Sequence, residues 1–258
     1  MKLAAFDFDG TIIFRHGIDA GTVAAIRAWQ DAGYLAVAAT GKSLSATQYA
    51  LQGSDVAFDY SVLYTGAVVA DGRGSLLHSS ALDAGTVRQV VEGLTGIDGI
   101  AVYGTMLEGR DTRFSSTVPS DLETTILRDY RELQAHEIDL HEFIGIPIWV
   151  PGDDDLRRRI HSWVLETFAV ECVINQDFVD IVPAGTTKGA GLQWLVDHLG
   201  LSRADLEVYT FGDSWNDLSM HSIADRSFSF PWSPDDVQAA TDEVIESVAD
   251  RLPRLLAP

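Results

Sequence analysis

The sequence predicts an α/β protein, a doubly wound parallel sheet whose chain is interrupted by an inserted α+β unit. Three observations carry this expectation. Short apolar strands alternate with amphipathic helices from the first residues, the alternation lapses between residues 81 and 182, and it resumes afterwards. Strand–helix–strand repetition at this spacing calls for parallel strands joined by crossover helices. The chain has 258 residues, 46% hydrophobic and 22% charged, enough for two modest domains with cores of their own.

The elements follow in order. "KLAAFDF" reads as a buried strand. "DAGTVAAIRAWQDAG" places Val23, Ile26 and Trp29 at helical spacing, and Gly33 marks its end. "YLAVAAT" is the next strand, "SLSATQYALQG" the next helix, and "YSVLYTGAVVAD" is strand material with a turn. The pattern then changes. A helix from Asp83 to Leu94 precedes the short strands "IAVYGTM" and "RFSSTV"; a helix over Leu122–Leu133, the strand "GIPIWV", a helix from Asp153 and the strands "AVECVIN" and "DFVDIVP" follow. From Pro183 the α/β pattern returns: helix "KGAGLQWLVDHLG", strand "LEVYTFGD", helix "NDLSMHSIA", strand "RSFSF" and a final helix in "DDVQAATDEVIESV". Expected boundaries are therefore 1–80 plus 183–258 for the core and 81–182 for the insertion. The charge run "DDDLRRR" at 153–159 suits a helix start, with acids at the positive end of the dipole.

The net charge of −20 argues against nucleic acid and acidic membrane surfaces as partners. The single cysteine, Cys172, cannot form an intrachain disulfide and suits a reducing compartment. The first apolar run stops at Asp7, too early for a signal peptide, and no run reaches membrane-spanning length. The expectation is a cytoplasmic monomer or homodimer.

Chemistry concentrates at strand ends. Asp7 and Asp9 close the first strand, Thr40, Gly41 and Lys42 the second, and Asp213, Asn216 and Asp217 follow "LEVYTF". In open parallel sheets ligands sit at the carboxyl ends of the strands. Carboxylates converging there need compensation, and Mg²⁺ takes oxygen ligands of this type. Of 18 basic residues only Lys2, Lys42 and Lys188 are lysines; Lys188 opens a helix, against the dipole, where an anionic neighbour would offset the cost.

"DFDGT" at 7–11, a Thr ending the second strand, a Lys opening a helix, and "GDSWND" at 212–217 together resemble the haloacid dehalogenase superfamily of phosphohydrolases. The α+β insertion resembles the branch with a large type II (Cof-like, type IIB) cap. The resemblance covers the whole chain. It implies a Rossmann-like core, a cap that reads the leaving group, and a Mg²⁺-dependent phosphatase acting on a phosphorylated sugar or similar small metabolite. Asp7 would be the nucleophile and Asp9 the acid/base. Thr40, Gly41, Lys188 and Asn216 would hold phosphate, with Lys42 as a further phosphate or substrate contact. Asp7, Asp9 (through its main-chain carbonyl), Asp213 and, in support, Asp217 would hold the metal. Arg110, Arg113 and Trp149 are among the candidates on the cap for meeting the leaving group, which the sequence does not rank.

Two positions depart from the family pattern: Lys42 replaces a frequent Arg, and Trp215 a frequent Gly. Rival readings are weaker. "AVAATGKS" lacks the Gly-rich loop of a nucleotide-binding P-loop, "DFDG" has its Gly too early for a calcium loop, and the histidines of "HEIDLHE" are five apart, off one helix face. A phospho-acceptor signalling domain is about half this length. A catalytically degenerate relative that only binds phosphate or metal stays open.

Overall fold

The structure is a computed structural model that describes residues 1–107, 110–122, 124, 127 and 130–256. In chain order the elements are β1 (Lys2–Phe6), α1 (Ala20–Asp31), β2 (Leu35–Ala39), α2 (Leu44–Ala50), β3 (Tyr60–Leu63), β4 (Val68–Asp71) and β5 (Leu76–Ser79). Next come α3 (Ala84–Leu94), β6 (Ala101–Gly104), β7 (Asp111–Ser116), β8 (Tyr130–Glu132), β9 (Ile146–Trp149), α4 (Asp154–Thr167), β10 (Val170–Asn175) and β11 (Phe178–Pro183). The chain ends with α5 (Lys188–His198), β12 (Glu207–Phe211), α6 (Leu218–His221), β13 (Arg226–Ser229), α7 (Asp235–Ala239), β14 (Glu243–Val244) and α8 (Val248–Arg251). It divides into two compact units, Met1–His78 with Thr187–Pro258, and Ser79–Thr186.

The first unit is built on a sheet of order β14-β13-β12-β1-β2-β3-β4-β5, parallel from β14 to β3 and antiparallel between β3 and β4. Its central strands are apolar on both faces because both are covered. In β1, Ala4 and Phe6 pack with Ile26 and Trp29 of α1, whereas Leu3 and Ala5 pack with Leu192 and Leu195 of α5. Strand order reverses at β1, which lies between β12 and β2, so the crevice at their carboxyl ends is the place where such a sheet binds ligands.

The second unit is a sheet of order β10-β11-β9-β6-β7-β8. One face packs Val102, Ile148, Val179 and Ile181 against Val87, Val91, Ile160 and Val164 of α3 and α4. The other carries the aromatic cluster Tyr103, Trp149 and Phe178. Asp153 caps α4 at Leu156 N (2.8 Å), and the acidic start pairs at i,i+3 rather than i,i+4: Arg157 with Asp154 and Arg158 with Asp155. Arg157 is also a buried tie, donating to Val150 O (2.6 Å) and pairing with Asp177 (2.7 Å).

Two expected helices differ. Of the helix expected over 122–133, residues 123, 125, 126, 128 and 129 lie outside the described residues, and its end is strand β8, parallel to β7. The helix expected in "DDVQAATDEVIESV" breaks after α7, because Asp242 accepts from the backbone and hydroxyl of Ser227 (2.8 Å each) and Glu243 and Val244 join the sheet beside Phe228 and Ser229.

Candidate active site

Asp7 follows Phe6 directly, and its backbone N–H extends the ladder to Phe211 O (2.9 Å). Its carboxylate is buried and accepts from Lys188 Nζ at 2.6 Å. Lys188 has no exposed surface and gives a second bond, also 2.6 Å, to Asp217, which is equally buried. The other oxygen of Asp217 accepts from Ser214 N (3.0 Å), so this side chain both holds Lys188 and closes the turn that carries Asp213. Oxygens of Asp7, Asp213 and Asp217 lie within 4.8 Å of one another.

Two glycines make this approach feasible. Gly10 has φ +81°, and a Cβ there would strike the Asp213 carboxylate. Gly66 has φ +107° in the turn after β3, and a Cβ there would strike the main-chain carbonyl of Thr187, the N-cap of α5. The 64–66 turn is strained, with Tyr64 and Thr65 also at positive φ (48° and 56°). Tyr64 N donates to Lys42 O (3.1 Å) and Thr65 N to Thr40 O (3.3 Å), so the turn braces the loop after β2.

The electrostatics are unbalanced. Burial pushes the Asp7 carboxyl up to about 8; Lys188 opposes this, and Asp217 and Asp213 add to it. Burial, then Asp217, pushes Asp213 up to about 7. Burial alone would lower the Lys188 ammonium, but Asp217 and Asp7 outweigh it and hold it above its ordinary value. Three carboxylates around one ammonium form an all-oxygen donor set with surplus negative charge, and a hard divalent cation fits it.

Asp9 lies outside this cluster. Its carboxylate is about half exposed and pairs with Lys42 Nζ at 2.5 Å. Strand β1 ends at Phe6, and Asp9 is not among the three carboxylates of the cluster, although its charge acts on Asp213. Thr40 is buried at the end of β2, and its hydroxyl accepts from Lys42 N (3.2 Å) around Gly41. Asn216 is buried, and its carbonyl oxygen has no hydrogen-bond partner among the described residues. The hydroxyl of Thr11 is in the same state and was not singled out from the sequence, although it belongs to the "DFDGT" motif. Trp215 lies in a short 3-10 helix with Asn216 and Asp217, a right-handed conformation that needs no glycine. In the second unit Arg113 pairs with Glu132 (2.5 Å) and lies over the Tyr130 ring (4.4 Å), while Trp149 is buried on the aromatic face.

The chain and its fold have known relatives. The chain is similar to a HMP-PP phosphatase of Citrobacter koseri, 26% identical over 236 residues, covering 85% of this chain and 80% of that protein. Its fold is similar to that of a solved sugar phosphatase of HAD subclass IIB (TM-score 0.79, 20% identity, 99% of both chains). It is also similar to that of a haloacid dehalogenase-like hydrolase from B. subtilis (TM-score 0.83, 17% identity, 99% of this chain and 100% of that one). Residues 4–251 match the haloacid dehalogenase-like hydrolase family, and with that match spanning almost the whole sequence the chain belongs to this family.

Proposed function

We propose that the protein is a Mg²⁺-dependent phosphomonoester hydrolase that works through an aspartyl-phosphate. The observation that carries this is the buried Lys188 held between Asp7 and Asp217, with Asp213 completing a carboxylate cluster at the switch point of the sheet. An Oδ atom of Asp7 attacks phosphorus and the ester P–O bond breaks. Asp9 gives its proton to the departing alkoxide, then takes one from the water that attacks the aspartyl-phosphate. Inorganic phosphate leaves and the Asp7 carboxylate is restored. Lys188, Thr40, Gly41 and Asn216 hold the phosphoryl oxygens, Asn216 by donating from its side-chain amide nitrogen. Lys42 meets the same oxygens when it exchanges Asp9 for substrate.

Asp7, Asp213 and the Asp9 carbonyl are the groups to hold Mg²⁺, which supplies charge neutralisation at the phosphoryl group. Asp217, with both oxygens already engaged, supports the site by fixing Lys188. Positioning and charge do the rest, as phosphoryl transfer requires.

The insertion, expected over 81–182 and lying within the compact unit Ser79–Thr186, acts as a cap. It carries a cavity of about 600 Å³ lined by Tyr103, Arg113, Tyr130 and Trp149 among others, which suits the leaving group of a small metabolite. The relatives are named for HMP-PP and sugar phosphates, and a phosphorylated sugar or similar metabolite is the substrate class adopted here. The test is phosphate release from p-nitrophenyl phosphate and from a panel of phosphorylated metabolites, with Mg²⁺ and after exhaustive chelation. Turnover that stops on chelation supports the reading. Mg²⁺ binding without turnover of any substrate would favour the degenerate, binding-only alternative.

A further inference from the structure

Two large aromatic side chains of the first unit stand half exposed, Trp215 (49%) and Trp232 (48%). Exposure of that much indole calls for a reason, and the N–H groups give one. Trp232 Nε1 donates to the carbonyl of Gly10 at 2.8 Å, across 222 residues of sequence. Gly10 follows Asp9, and a Cβ on it would strike the Asp213 carboxylate. Trp215 Nε1 donates to Asp236 Oδ2, also at 2.8 Å. Both bonds end on one short segment, "FPWSPDD" at 230–236, which leaves β13 and enters α7.

That segment is itself firmly held. Phe230 is fully buried and stacks on Trp232 (5.0 Å, 11°), whose edge meets Phe14 (5.6 Å, 86°). Ser233 closes a turn by donating to Phe230 O (3.0 Å) and accepting from Phe230 N (3.1 Å). Gln238 of α7 donates to Ser233 O (2.8 Å), and Pro231 and Pro234 restrict the backbone between. A stiff segment thus grips the loop after β1, which carries Asp7 and Asp9, and the loop after β12, which carries Asp213 and Asp217.

We propose that residues 230–236 form a clamp that sets the spacing of the two carboxylate-bearing loops, with Trp232 and Trp215 as positioning residues that act through Gly10 and Asp236. The consequence for metal and turnover rests on the hydrolase reading above; the mechanical part does not. It also gives Trp215 a use where relatives often carry Gly.

The test uses the full chain and the variants Trp232→Phe, Trp215→Phe and Asp236→Ala, with Trp194→Phe on α5 as a remote control. Phenylalanine keeps the ring and removes the N–H. Hydrogen exchange followed by mass spectrometry reads the loops directly. Trp232→Phe should speed exchange of the amides of Thr11, Ile12 and Ile13, and Trp215→Phe those of Ser214 to Asp217, each by about three- to tenfold, the worth of one net hydrogen bond. Asp236→Ala should match Trp215→Phe, and combining those two should add nothing, since they remove the same bond. Calorimetric Mg²⁺ affinity and kcat on p-nitrophenyl phosphate should fall by a similar factor with KM little changed, while Tm falls by no more than about 2–4 °C. Unchanged exchange in Trp232→Phe overturns the clamp, and faster exchange with wild-type Mg²⁺ affinity and kcat overturns its positioning role. If the wild-type protein neither binds Mg²⁺ nor turns over, faster exchange in the variants still supports the clamp, and the hydrolase reading falls.

Discussion

Lys188 is a lysine with no solvent and two carboxylate partners, and its environment decides what each substitution does. A buried charge is tolerated only where paired charges compensate its lost hydration. Lys188→Met keeps most of the volume and removes the charge, leaving Asp7 and Asp217 facing each other unpaired. Destabilisation of about 3–5 kcal/mol is expected from urea unfolding, together with loss of turnover. Asp7→Asn acts in the opposite direction on stability. In the folded chain the Asp7 carboxyl titrates at about 8 against an ordinary 3.8, because it is buried. Between those values the folded state keeps a proton that the unfolded chain has released, so this group's contribution to stability falls as pH rises through the window. The amide has no such dependence. In chelator, Asp7→Asn should therefore gain in Tm on the wild type between about pH 5 and about pH 8. It should also show no phosphatase turnover, since an amide does not attack phosphorus. A Tm difference that stays flat across that range would mean that Asp7 stays ionised without a cation.

At the scale of elements, the site is a set of strand ends brought to one height. The 64–66 turn carries the start of α5, and hence Lys188, close to β3 and the loop after β2. Gly66→Ala forces a side chain into a glycine conformation and into the Thr187 carbonyl. Strain of that kind costs on the order of 1–3 kcal/mol before any clash. The expected outcome is a lower urea midpoint and a kcat loss larger than the stability loss explains, because the end of α5 must move. A midpoint within error of wild type would show that the turn yields. The strands and their carboxylates are legible in the sequence because a strand buried on both faces leaves an uninterrupted apolar run, as in "KLAAF" and "LAVAA", and the polar residues that end it stand out. Gly66 gives no such signal, since its reason lies in Thr187, far along the chain. The same holds for β14, where the period suggests helix and the bonds that Ser227 donates to the Asp242 carboxylate override it. Strand β8 is three residues long with exposed Arg131 and Glu132, too short for an alternating pattern to declare it. Trp232 gives no signal either, since its partner Gly10 lies 222 residues away in sequence.

For the whole molecule, charge and division of the chain bear on what it processes. Residues 81 to 182 contain 8 Arg, no Lys and 19 acidic residues, a net charge of −11 within a total of −20. Arg113, one of the few cations there, is already matched by Glu132. Such a unit repels a polyanionic leaving group at long range and favours a neutral one held by hydrogen bonds and aromatic contacts. Described by themselves, the two units have separate hydrophobic cores, one around Val102 and Ile148, the other around the parallel strands. Replacing residues 82–180 with a short linker therefore tests the role of the insertion, with circular dichroism and thermal melting to verify that the remaining core folds. If the insertion is a cap, the truncated protein should show a raised KM and lowered kcat on its preferred sugar or similar monophosphate, through lost positioning and lost exclusion of water. The small aryl ester p-nitrophenyl phosphate, which needs little from a cap, should suffer less. Equal losses on both substrates in a folded core would assign the insertion a role other than reading the leaving group. A preference of the intact protein for nucleoside triphosphates or bisphosphates would defeat the charge argument while leaving the carboxylate assignment in place.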